Sequence, residues 1–289
     1  MKRSEAGTHG AQPSFGARLR TALDERGPLC VGIDPHSALL SAWGVGDDVA
    51  GLERFTGTVV EALADRVAVV KPQSAFFERF GSRGIAVLER AIADARSAGA
   101  LVILDGKRGD IGSTVEAYAQ AYLDPASPLA ADALTASPFL GFGSLDPLYA
   151  TAERHGAGVF VLCFTSNPEG AQVQRALTPD GTTVGAAILA GAARRNAGAE
   201  PLGATGAVIG ATVSRGVPFD LAALNGPVLA PGIGAQGAAA EDLRALFGDA
   251  LRNVVPSSSR DILRHGPDVQ ALRDAALRSV EECRKALGY

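Results

Sequence analysis

The stretch Leu104-Asp105-Gly106-Lys107-Arg108-Gly109-Asp110-Ile111-Gly112-Ser113-Thr114 carries an acid, two bases and a second acid out of the apolar run Ala100-Leu101-Val102-Ile103. Single charges are expensive to bury, so a chain that sets them where a core strand ends has chemistry for them. The pattern recurs along the chain. Val67-Ala68-Val69-Val70 runs into Lys71, and Leu29-Cys30-Val31-Gly32-Ile33 runs into Asp34.

Working outward from these runs gives eight candidate strands: 29–33, 67–70, 101–104, 133–136, 159–163, 206–210, 228–230 and 253–255. They are continuously apolar rather than alternating, as expected of a parallel sheet covered on both faces. Helical spacing separates them. Leu52, Phe55, Val59 and Leu63 share one face, as do Ile85, Leu88 and Ile92, and then Val269, Leu272, Ala276, Val280, Cys283 and Leu287. Phe15, Leu19 and Leu23 mark a further helix before the first strand, and residues 183–203 read as a helix with a loose connection. Eight βα units predict a single (β/α)8 TIM barrel over residues 14–289, preceded by a polar, flexible tail over 1–13. A doubly wound open sheet is the alternative. Charge placement favours the barrel, because only a closed sheet gathers strand ends from early, middle and late units on one face.

The 289 residues have a formal charge of −4 and no basic cluster, so nucleic acid and anionic membrane are not expected partners. No run of apolar residues is long enough for a membrane span, and the polar start lacks a secretory h-region, so a cytoplasmic location is expected. Cys30, Cys163 and Cys283 are far apart, and the first two lie in apolar runs. They read as core thiols in a reducing compartment.

Asp105 and Lys107, two apart, would point to the same side of an extended strand. Taken alone they could be a salt bridge closing the strand. Lys71, ending the preceding strand, adds a second ammonium, and alternating acids and bases stabilise one another's charged forms. Gly232-Ile233-Gly234-Ala235-Gln236-Gly237 has the G-x-G-x-x-G spacing, but it follows the seventh strand rather than the first. That position, with Arg260 after the eighth, reads as a phosphate grip rather than a dinucleotide fold. Thr165-Ser166-Asn167 after the fifth strand offers hydroxyls and an amide to a polar ring edge, or is simply a turn. The four histidines do not cluster, and His36 reads as a rim residue.

Asp105-Gly-Lys107-Arg-Gly-Asp110-Ile111-Gly-Ser-Thr114 resembles the D-x-K-x-x-D-I-x-x-T signature of the orotidine 5′-phosphate decarboxylases, and the likeness spans roughly Phe15 to Leu287, nearest to the longer bacterial branch. The resemblance implies roles. Asp34 matches the family's ribose-binding aspartate, and Lys71 a lysine that joins the charge network and touches the ribose. Ser166 matches the serine that reads the pyrimidine amide, while Gln236 and Arg260 match the phosphate ligands. Pro256–Ser259 departs from the usual glycine-bearing approach to that arginine. The family further implies a homodimer in which Asp110, Ile111 and Thr114 enter the partner's site.

The implied reaction is cofactor-free loss of CO2 from orotidine 5′-monophosphate to give UMP, the last step of UMP biosynthesis. In it Lys107 protonates C6 within a Lys71/Asp105/Lys107/Asp110 network. Carboxylates beside the substrate carboxylate would repel it until CO2 leaves. Two rivals remain: a magnesium-dependent aldolase resembling hexulose-phosphate synthase, and a catalytically silent nucleotide-binding barrel. Lys71 argues against the first, since an ammonium can take the cation's place. The cost of the charge cluster argues against the second.

Overall fold

Cys30 pairs with Ser257 and Val31 with Ser258, so the first strand meets the last and the sheet closes on itself. This excludes the open sheet. The computed structural model describes residues 13–213, 216–232 and 240–289. Its strands are β1 (Cys30–Ile33), β2 (Val69–Pro72), β3 (Leu101–Arg108), β4 (Ala133–Ala136), β5 (Gly158–Phe164), β6 (Thr205–Ile209), β7 (Val228–Pro231) and β8 (Val254–Ser258). They pair in parallel and in chain order around a closed barrel.

Each strand overlaps its sequence-based expectation. The largest differences are at C-terminal ends. β3 runs four residues further, to Arg108, and β8 runs three further, to Ser258, while Asn253 belongs to a preceding 3-10 turn. Both extensions are polar, and a hydrophobic pattern stops where the apolar residues stop.

The helices are α1 (Phe15–Arg26), α2 (Ser37–Ala42), α3 (Val49–Leu63), α4 (Ser74–Glu78), α5 (Gly81–Ser97), α6 (Gly112–Leu123), α7 (Asp146–His155), α8 (Gly170–Gln174), α9 (Val184–Arg195), α10 (Ala240–Phe247), α11 (Arg260–Leu263) and α12 (Val269–Leu287). The sixth unit departs from the expected βα repeat. Among the described residues, β6 and β7 are joined through a 3-10 turn, Leu221–Leu224, in place of a helix.

Burial is two-layered. Outward-facing strand residues such as Val31, Val70, Val102 and Val159 pack under the helices. Inward-facing Cys30, Val69, Ile103, Phe160, Leu229 and Val255 fill the barrel. The same inner cluster includes Phe15, Leu19 and Leu23 of α1, all fully buried. Their i, i+4 spacing makes one stripe, Ser14 caps the helix by accepting from the Ala17 N–H at 3.3 Å, and Phe15 meets Phe160 edge-on at 5.9 Å. Each such side chain contributes roughly 1.5–3 kcal/mol of burial. The helix therefore plugs one end of the barrel and leaves the other for polar groups. The expected tail, 1–13, lies almost wholly outside the described residues.

Candidate active site

The strands aim their C-terminal ends into one cavity of about 610 Å³. Its polar wall comes from the first four strands and from β8, and its apolar floor from Leu162, Val208 and Leu229 of β5, β6 and β7. Three cations (Lys71, Lys107, Arg260) face two carboxylates (Asp34, Asp105) among its described lining residues. An excess of positive charge in a cleft favours an anionic ligand.

Asp105 organises the wall. Its Oδ2 accepts from Lys71 Nζ at 3.0 Å, and its Oδ1 from Lys107 Nζ at 2.6 Å and from the Thr135 hydroxyl at 2.8 Å. Burial alone would raise the Asp105 pKa, but the two ammonium groups overcome it and hold the carboxyl down at about 2. Lys71 is only 6% exposed. Burial works against its charge, yet Asp105 and then Asp34 outweigh it and lift its pKa above the usual lysine value. Asp105 and Lys71 thus stay ionised because they share a site. Below them, burial pushes the Cys30 thiol up to about 12, despite the opposing pull of Lys71. It is a neutral packing group, as its apolar run suggests.

The sidedness of Lys107 corrects the sequence reading. Its φ is +47°, in the left-handed region, so the Asp105–Lys107 segment is not extended. Leu104 pairs with Leu134 and Arg108 with Ala136, leaving three residues of β3 opposite Thr135 alone. The two side chains meet because the strand bulges, not because it alternates. Lys107 is correspondingly half in solvent, with Nζ reaching Gln73 Oε1 at 3.4 Å.

The same bulge redirects the chain beyond it. Arg108 is tied to the Tyr122 hydroxyl at 3.2 Å and to Glu78, and its carbonyl accepts from the Ser137 N–H at 2.8 Å. Asp110 consequently lies outside the cavity wall, its Oδ1 accepting from the Ile111 N–H at 2.8 Å. Ile111 and Thr114 are exposed at the start of α6. Within one chain the expected four-residue network is therefore three residues, without Asp110.

Asp34, Ser166 and Arg260 do line the cavity. Asp34 Oδ1 and the neighbouring Ser259 hydroxyl are buried with no hydrogen-bond partner among the described residues. Gly32 makes room for both, since a Cβ there would lie 2.9 Å from Asp34 Oδ2 and 2.9 Å from Ser259 Cβ. The β5 loop is braced by Gln174, whose Oε1 accepts from the Thr165 N–H at 2.9 Å. It sits against Gly210, where a Cβ would come 2.9 Å from the Ser166 nitrogen. His36 lines the rim and packs against Phe76 with ring centroids 4.3 Å apart. Gln236 lies outside the described residues, as does most of the glycine-rich loop. Among the described residues no cluster of three or more His, Cys, Asp or Glu could hold a metal ion. Nor is any helix of the described residues long and apolar enough to cross a membrane.

Residues 27–275 match the family model described as the orotidine 5′-phosphate decarboxylase / HUMPS family. The chain belongs to that family. An orotidine 5′-phosphate decarboxylase of Streptomyces coelicolor is 65% identical over 273 residues, covering 94% of this chain and 98% of the relative. Among solved structures, a Streptomyces avermitilis protein provisionally named orotidine 5′-phosphate decarboxylase superposes with a TM-score of 0.95 at 62% identity, covering 99% of this chain and all of that one. The Leishmania donovani OMP decarboxylase gives 0.72 at 31% identity, covering 96% of this chain and 99% of that one.

Two members of the site escaped the sequence reading of this decarboxylase-family chain. Thr135 sits in Ala-Leu-Thr-Ala, where a β-branched residue is ordinary strand material. Gln73 follows Lys71-Pro72 and donates from Nε2 to the Asp105 carbonyl at 3.2 Å. Its position two residues past a site lysine was the available signal.

Proposed function

We propose that this chain decarboxylates orotidine 5′-monophosphate to UMP and CO2, acting as a homodimer without a cofactor. One observation carries the reading: two ammonium groups share the buried carboxylate of Asp105 at the polar end of a barrel, above an apolar floor. Cleavage of the C6–carboxylate bond leaves an electron pair on C6 with no adjacent carbonyl to delocalise it. Lys107, charged and held by Asp105, stabilises that pair and gives it a proton, which the amine regains from water. Lys71 keeps Asp105 ionised in turn and occupies the place that a magnesium-dependent aldolase would give to its metal.

The remaining roles follow the shape of the substrate. Asp34, with its unpartnered oxygen, suits a ribose hydroxyl. Ser166 suits the pyrimidine amide, and Arg260, with Gln236, the phosphate. Asp110, Ile111 and Thr114 would act on the neighbouring subunit's site. The exposed apolar side chains of Ile111 (62%) and Phe139 (76%), on the loops after β3 and β4, support burial against a second copy.

Purified protein should consume orotidine monophosphate with loss of its absorbance, yielding UMP and CO2 in equal amounts, undiminished by excess EDTA. No consumption, or consumption only after added magnesium, would overturn the proposal.

A further inference from the structure

We infer that Thr135 is a positioning residue that fixes the Lys107 ammonium by clamping that lysine's backbone and side chain to the same carboxylate oxygen. This rests on the decarboxylase reading above and adds a residue to it. Three residues of β3, Asp105 to Lys107, stand opposite Thr135 alone, so the bulge interrupts regular pairing at the Lys107 N–H. The Thr135 hydroxyl accepts from that N–H at 3.0 Å and donates its own proton to Asp105 Oδ1 at 2.8 Å. Oδ1 is also the atom that receives Lys107 Nζ at 2.6 Å. A ring results: backbone N–H to hydroxyl, hydroxyl to carboxylate, ammonium to the same carboxylate.

The ring has a purpose that a buried threonine in a strand would otherwise lack. A lysine at φ +47° is in a conformation L-residues avoid, and it persists only where its surroundings over-determine it. Lys107 is half in solvent, so packing alone does not hold it. Thr135 is 1% exposed and rigid at χ1, which makes its hydroxyl a fixed reference point between Asp105 and Lys107. Valine has the same shape without the hydroxyl, and serine has the hydroxyl without the methyl.

The test compares Thr135→Val, Thr135→Ser and wild type for kcat, KM and UMP affinity, with thermal unfolding as a check on folding. Thr135→Val should lose roughly 10- to 100-fold in kcat, the scale of one hydrogen bond to a charged group, while UMP affinity stays within about threefold. Thr135→Ser should recover most of the loss. If the valine variant does not fold, Thr135→Ala against Thr135→Ser gives the same comparison. A hydroxyl-free variant with wild-type kcat would overturn the inference. So would serine and hydroxyl-free variants impaired alike, or UMP affinity falling in step with kcat. A wild-type protein that does not decarboxylate the substrate would overturn the functional reading instead, so the two failures are separable.

Discussion

Replacing Asp105 by asparagine keeps the shape of the side chain and removes the one charge that two ammonium groups share. The cost can be worked from the site. A carboxyl whose pKa falls from 3.8 to about 2 on folding gains roughly 2–3 kcal/mol of native-state stability at neutral pH. The substitution also strands Lys71, 3.0 Å away and 6% exposed, and removing one partner of a buried pair typically costs about 3–5 kcal/mol. The expected destabilisation is therefore roughly 3–5 kcal/mol at pH 7, seen as a fall of about 5–10 °C in Tm.

The pH dependence has a definite sign. In the wild type the Asp105 contribution is complete above about pH 4 and is lost as pH falls toward 2, because its folded pKa is depressed. In Asp105→Asn, burial acts on Lys71 with its strongest opposing partner gone, so its folded pKa drops. The unfolded chain then binds more protons, and stability rises as pH increases from 7 to 9. Thermal or urea unfolding of both proteins at pH 7 and 9 measures this. A variant as stable as wild type at pH 7, or one with no gain at pH 9 beyond that of wild type, would refute the argument that this carboxylate is the electrostatic centre.

Lys107→Ala should reduce kcat on the order of 10⁴-fold or more while UMP affinity changes by less than about tenfold, as the role proposed for its ammonium at the developing carbanion requires. Steady-state kinetics with UMP inhibition reads both quantities. Mixing inactive Lys107→Ala with inactive Asp110→Asn should restore about a quarter of wild-type activity, because a mixed dimer rebuilds one unmutated site of its two. Mixtures no more active than either parent would argue against sites shared between subunits.

The closed parallel sheet was legible because strands covered on both faces are mostly apolar, as at 101–104, and eight such runs alternate with helical spacing. The convergence of Asp34, Lys71 and Asp105 followed from barrel closure alone. Lys107 was found, but for an insufficient reason. A left-handed lysine leaves no mark in a sequence, so the bulge that aims its side chain could not be anticipated. Thr135 was hidden by chemistry of the opposite kind, since its methyl satisfies a strand pattern and conceals its hydroxyl. Asp110 shows the limit of local spacing. Lying beyond the strand, it need not face the way Asp105 does, and anchoring of Arg108 by Tyr122 and Glu78 turns the chain away within two residues.

The most direct measurement is the position of a bound pyrimidine nucleotide. In a crystal structure of the protein with UMP, Lys107 Nζ should lie within roughly 3–3.5 Å of C6, with the ring over Leu162, Val208 and Leu229 and the ribose against Asp34. A nucleotide bound with C6 facing away from Lys107, or held outside this cavity, would contradict the account.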